Sequence, residues 1–354
     1  MSASEAVKAA QASNGSYCAQ SAIPTKKNKS SETLINLEPG DPTMYETYWA
    51  KMEDKGSIMI PGGQKLSYFS SADDLCWFME PELSDAIRRL HSVVGNAVAE
   101  DKFIVVGTGS TQLLFAALYA LTCTNSHLLD QPVPVVSAAP FYSCYPGIAD
   151  LVRSGLYKWG GDAGKFDREE PFIEIVNSPC NPDGSIRGPV VPQNDSRKGK
   201  LIHDFAYFWP QYTPIGAPAD HDIMLFTLSK CTGHAGSRIG WALVKDRSLA
   251  EKMVGFINIA TIGVSKDAQL RAAKLMGALA DQCGRENDFF KYGQRLLTDR
   301  WRRLREVVDK SEVFTVKDYE SDYCSFFKDI FKPNPAFAWL SCDHISDTAS
   351  FLQG

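Results

Sequence analysis

Between residues 103 and 244 the chain carries six short apolar runs, at 103–106, 134–137, 172–176, 201–203, 223–226 and 239–244. Each is too short for a buried helix and too uniformly apolar for a strand wetted on one face. Helical patterns or long connections separate them, as parallel strands require of their crossovers. The pattern predicts an α/β fold, a mostly parallel sheet sandwiched by helices. In such sheets ligands bind beyond the carboxyl ends of the strands, so those ends are the places to look for chemistry.

Elsewhere the helical signals are regular. Leu83, Ile87, Leu90 and Val94 follow Pro81 at helical spacing. Residues 110–121, 265–280 and 288–308 read as helices, Ser265 being placed to cap the second. Residues 336–340 read as a strand, and a further helix begins at Ser346. Residues 1–32 are polar, with Lys26, Lys27 and Lys29, and read as a disordered tail, order beginning near 34–37.

The net charge of −5 offers nucleic acid or an anionic membrane no general attraction. No apolar run approaches the roughly 18–20 residues of a membrane span. The first residues lack the apolar core of a secretory signal, and their Glu5 and want of arginine argue against a transit peptide. Nine cysteines are scattered without a C-x-x-C pair, which suits free thiols in a reducing compartment such as the cytoplasm.

Four segments at strand ends carry chemistry. Gly107-Thr-Gly-Ser110-Thr111-Gln112 joins a strand to a helix, and its glycines, hydroxyls and helix N-terminus suit a phosphate. Alone it is also an ordinary turn. Asn177-Ser-Pro-Cys-Asn181-Pro-Asp-Gly184 is rich in turn formers, yet offers the Asn181 amide to a ligand. In Leu201-Ile-His-Asp204-Phe-Ala-Tyr207, Asp204 is either a helix cap or a buried carboxylate for a protonated ring nitrogen. The most telling is Thr227-Leu-Ser229-Lys230-Cys-Thr-Gly-His-Ala-Gly-Ser-Arg238-Ile-Gly240. A lysine after a buried strand is costly without a purpose, and a Schiff base supplies one. The planar fork of Arg238 suits a phosphate dianion.

With the strings LEPGDPTMYETYW, FIVVGTGSTQ, NPDGSIRGPVV, IHDFAYFWPQYTPI and HDIMLFTLSKCTGHAGSRIGWALVKD, these segments resemble the plant alliinase/tryptophan aminotransferase-related family, within the fold type I enzymes dependent on pyridoxal 5′-phosphate (PLP). The resemblance runs from about residue 34 to the C-terminus. It implies that Lys230 is catalytic and carries PLP, and that Asp204 pairs with the pyridinium. Asn181 and Tyr207 would bind the phenolic oxygen. Ser110, Thr111, Thr227, Ser229 and Arg238 would hold the phosphate, and Tyr142 would stack on the ring. Tyr68 would reach the cofactor of the partner in a homodimer with shared sites, and Gly40 would lie beside the substrate. The substrates would be an amino acid and a 2-oxo acid: tryptophan plus pyruvate would give indole-3-pyruvate plus alanine, in auxin biosynthesis. The implied division is a segment at 33–75 contributing to the small domain and dimer contacts, a large PLP-binding domain at 76–280, and a small domain at 281–354.

Three other readings remain. An alliinase-like C–S lyase shares these motifs, although the cysteine-rich module and secretory signal of alliinases are not found here. The family's V-R-x-S-M-L strand, with its carboxylate-binding arginine, is also not found, so the small domain is expected to be incomplete and the chain a PLP-binding isoform with impaired catalysis. A dinucleotide-binding dehydrogenase would use Gly107-Thr-Gly109 but gives Lys230 no role.

Overall fold

A computed structural model of the chain describes residues 40, 42–123, 131–192, 199–311 and 313–342. The expected tail at 1–32, the start of order near 34–37 and the helix at Ser346 lie outside the described residues.

Seven strands form one sheet in the order β1-β7-β6-β5-β4-β2-β3. They are Phe103–Gly107 (β1), Val133–Ser137 (β2), Tyr157–Asp162 (β3), Ile173–Asn177 (β4), Lys200–Asp204 (β5), Ile223–Thr227 (β6) and Gly240–Val244 (β7). The pairs among β2 to β6 are parallel. β7 is antiparallel to both β1 and β6, so β1 to β6 all run one way and β7 alone runs against them. Six carboxyl ends and the amino end of β7 therefore share one edge. Every residue of β2, β4, β6 and β7 is buried, as expected of strands covered on both faces.

Helices flank the sheet. Gly109–Thr122 and Arg247–Thr261 pack together and against β1 and β7, while Pro81–Val94 packs on Lys266–Gln282. Leu83, Ile87, Leu90 and Val94 are buried, as their spacing predicts. Proline begins that helix, and Gly95 ends it in the left-handed region at φ 69°, donating its N–H to His91 O at 2.8 Å. Ser265 does cap Lys266–Gln282, its hydroxyl accepting from Ala268 N at 3.3 Å. Asp288 performs the same service for Phe289–Ser311, accepting from Phe290 N at 2.8 Å.

One strand was not expected, and one expectation needs correction. β3 gives no apolar signal because only its Tyr157 is buried, and its register shifts where Gly160 and Gly161 pass β2. The run at 336–340 is not a strand until Leu340–Cys342 (β11), which pairs with Phe314–Val316 (β8). Residues before it bond to the rest of the molecule instead of a ladder: Asn334 N donates to Tyr212 O and Trp301 Nε1 to Pro335 O, both at 2.8 Å. Asp322–Cys324 (β9) and Asp329–Phe331 (β10) form a separate hairpin.

Among the described residues no helix is long and apolar enough to cross a membrane.

Candidate active site

A cavity of about 600 Å³ opens at the edge where the six strands end. All the site residues expected from the sequence line it, apart from Tyr68.

One end is built for an anion. The helix Gly109–Thr122 starts with no side chain capping its first turn, so the backbone N–H groups near Ser110 and Thr111 stay available. Thr108 N is satisfied separately by Gln112 Oε1 at 2.7 Å. Two glycines make room for this end. Gly109 has φ 75°, and a Cβ there would stand 2.6 Å from Arg238 Nη2. A Cβ on Gly240 would stand 2.5 Å from Ser110 N. Arg238 arrives because it lies two residues before the reversed strand β7. Its own backbone is left-handed at φ 51°, and its Nη1 donates to Ala235 O at 3.0 Å. From β6, Thr227 Oγ1 donates to Ser229 Oγ at 3.1 Å, bringing two more hydroxyls to the same corner.

The other end is built around a buried acid. Asp204 ends β5 beside Asn177 of β4, its register partner. Tyr145 Oη donates to Asp204 Oδ2 at 2.7 Å and Ala206 N to Oδ1 at 3.1 Å. Burial raises the carboxyl's pKa, and these two donors counter that push. No cation pairs with it among the described residues. Asp204 is thus no helix cap. Burial, then the neighbouring Asp204, push the Tyr145 hydroxyl well above its ordinary range, so it remains a donor.

Asn181 is held by its own turn, its N–H donating to Asn177 Oδ1 at 2.6 Å. Arg187 ties this turn to the segment carrying Tyr142: it pairs with Asp183 at 2.8 Å and donates to Pro140 O at 2.9 Å. Tyr142 stands edge-on to Tyr145, with centroids 5.5 Å apart. Lys230 is half-buried between these ends. Its Nζ donates to Gly40 O at 3.0 Å and lies 5.5 Å from the centre of the buried Tyr207 ring. Tyr212 Oη donates to Lys230 O at 3.1 Å, fixing the backbone beneath it.

Tyr68 lies elsewhere. It is 68% exposed, in an irregular stretch where Met59, Leu66 and Phe69 are exposed too. Sequence reasoning missed Tyr145, whose buried helical position reads as plain core, and Phe337 and Trp339, which read as strand residues but line the cavity. A second cleft, of about 680 Å³, lies between residues 48–55 and 286–296; its charges are mixed and it gathers none of the expected site residues.

The assembled groups can hold a ligand that is dianionic at one end and carries a protonated ring nitrogen at the other, with a primary amine between them.

The alliinase C-terminal family model, described as allinase, matches residues 35–354. Tryptophan aminotransferase-related protein 2 of Arabidopsis thaliana is 53% identical over 332 residues, covering 93% of this chain and 74% of that protein. Tryptophan aminotransferase-related protein 1 of japonica rice is 49% identical, with 91% and 74% covered. Alliin lyase 1 of Allium sativum is 35% identical, with 88% and 65% covered. Among solved structures, the alanine aminotransferase from Pyrococcus furiosus superposes with a TM-score of 0.56 at 17% identity, covering 88% of this chain and 77% of that one. The aspartate aminotransferase from Rhizobium meliloti gives 0.54 at 19% identity, covering 85% and 72%. At such identities these two likenesses speak for the fold, which is that of the fold type I aminotransferases.

Proposed function

The chain belongs to the allinase family, and on that premise we propose that it is a PLP-dependent aminotransferase that takes the amino group from tryptophan or a related aromatic amino acid and gives it to pyruvate. The observation that carries this reading is the meeting of Lys230, Asp204 and Arg238 in the lining of one cavity of about 600 Å³.

The residues fit PLP on two grounds. Gly109 and Gly240 let Arg238 and Ser110 come together, since a Cβ on either would collide with them, and the corner so made is ringed by Ser110, Thr111, Thr227, Ser229 and Arg238, which suits a phosphate. Asp204 is a buried acid pushed toward neutrality, and a cation beside it would restore its charge, which suits a pyridinium. When bound, PLP supplies the electron sink that makes an amino acid's Cα–H bond acidic. Asp204 keeps the ring nitrogen protonated through a charge-assisted hydrogen bond. Tyr142 would cover the ring face, and Asn181 and Tyr207 would bind the phenolic oxygen. Lys230 Nζ takes the proton from the substrate Cα and returns it. The overall balance is tryptophan plus pyruvate to indole-3-pyruvate plus alanine. Tyr68, exposed and outside this cavity, would serve the site of a second copy in a homodimer.

The test is incubation of the PLP-loaded chain with tryptophan plus pyruvate, and separately with alliin. Indole-3-pyruvate is expected from the first. Pyruvate and ammonia from alliin, with no indole-3-pyruvate, would establish the C–S lyase instead. A cofactor bound but unchanged by either substrate would establish a PLP-binding chain with impaired catalysis.

A further inference from the structure

The polar groups of the cavity come from the sheet edge, and they are the ones the cofactor would occupy. Facing them is a different kind of wall, made by the irregular segment 334–339. Phe337 stands edge-on to Tyr207, with centroids 5.6 Å apart at 76°. Its ring lies so close to Gly40 that a Cβ there would be 2.6 Å from Phe337 Cζ. Trp339, two residues on, also lines the cavity and is left 44% exposed.

This segment is not a loose end. Asn334 N is bonded to Tyr212 O, Asn334 Nδ2 donates to Thr298 Oγ1 at 3.0 Å, and Pro335 O accepts from Trp301 Nε1. Pro335 also seats on the turn that carries Asn181: a Cβ on Gly184, whose φ is 66°, would be 2.2 Å from Pro335 Cγ. The same turn therefore presents Asn181 to the cavity and anchors the facing wall. A wall held at both Gly184 and Tyr212 can present flat ring surface without ordering it anew at each binding event.

We infer that Phe337 and Trp339 form the subsite for the substrate's side chain and set the preference for an aromatic amino acid over a small one. The inference rests on the aminotransferase reading and adds to it the residues that choose the substrate. Ring faces pack well against another ring, in edge-on or offset geometry. A methyl side chain would leave the same surface wet.

The measurement is the rate at which each amino acid discharges the PLP-loaded full chain in single turnover, expressed as the tryptophan-to-alanine ratio. Trp339→Ala and Phe337→Ala should each lower that ratio about ten-fold, the scale of a lost aromatic or small apolar contact. Trp339→Phe should restore most of it. Gly184→Ala, which unseats Pro335 without touching either ring, should lower the ratio in the same direction. Binding of indole-3-propionate, followed by calorimetry, gives a readout that needs no turnover. The wild-type chain should bind it, and Trp339→Ala should bind it about ten-fold more weakly. An unaltered ratio in both alanine variants overturns the inference, as does indole-3-propionate binding that is absent from the wild type or indifferent to Trp339. If no amino acid discharges the wild-type chain, the aminotransferase reading fails by itself, and the indole-3-propionate measurement still decides the subsite.

Discussion

Two buried polar assemblies lie on either side of β6 and differ in one respect. Around His91 the hydrogen bonds close. Trp241 Nε1 donates to His91 Nε2 at 2.9 Å, which leaves the proton on Nδ1 to face Asn96 Oδ1 at 2.8 Å, and Asn96 Nδ2 donates to Phe208 O at 2.7 Å. Burial pushes the imidazole down to about 4, so it is neutral, and each of its ring nitrogens has a partner. Around Asp204 each carboxylate oxygen also has a donor, but the group is an acid that borders a cavity. Tyr145 and Ala206 supply two donors, burial pushes the acid toward neutrality, and the remaining side faces a cavity with an amine and a guanidinium along its walls. Both residues are buried and both are shifted by desolvation. The closed assembly holds Pro81–Val94 to the sheet, while the other borders the cavity.

That contrast can be broken in several ways. Lys230→Ala removes the amine proposed to attach the cofactor and carry the proton, and turnover should fall about 10³-fold or more, with loss of the cofactor's lysine-bound absorbance band. Retained turnover would refute the assignment of Lys230. Asp204→Asn keeps the shape but not the charge. A charge-assisted bond of roughly 1.5–3 kcal/mol should be lost, lowering activity about 100-fold and weakening PLP affinity. If the variant matches the wild type in both, Asp204 belongs with His91 as a structural group.

The third test addresses the closed assembly. The folded pKa of His91 is depressed to about 4 from an ordinary 6.5, so the unfolded chain binds the proton more readily. The stabilisation is complete above about pH 6.5 and is lost as pH falls toward 4, by about 2 kcal/mol between pH 7 and 5. Urea midpoints at the two pH values should show the loss, and His91→Gln should flatten it. An equal slope in the variant would mean that other groups carry the acid sensitivity. Tyr145→Phe should have the smallest effect, about 1 kcal/mol or five-fold in turnover, because Ala206 N still serves Asp204. A drop as large as that of Asp204→Asn would instead make the tyrosine an essential partner.

Much of this was legible in the chain. The apolar runs at 103–106, 172–176 and 223–226 announced β1, β4 and β6, because strands buried on both faces have no polar alternation to obscure them. Ser265 announced a helix start because a cap is a local bond. β3 stayed hidden because only its Tyr157 is buried, unlike β1 at the opposite edge, which is covered. Tyr145 stayed hidden because a buried tyrosine on a helix looks like core until its hydroxyl is given a partner. Phe337 and Trp339 were visible as apolar residues and misread as a strand, since a short apolar run is equally produced by an irregular segment whose bonds go elsewhere.

By itself the sequence determined the order of chemical groups along the chain and the strand ends to which they attach, since both depend on neighbours a few residues apart. The tertiary structure decided which of those ends meet. Arg238 shares a corner with Ser110 only because β7 runs against its six companions, bringing its amino end to their carboxyl edge. Phe337 faces Lys230 only because Gly40, Gly184 and Tyr212 give its segment a seat. Such contacts join residues more than a hundred positions apart, and no local pattern encodes them.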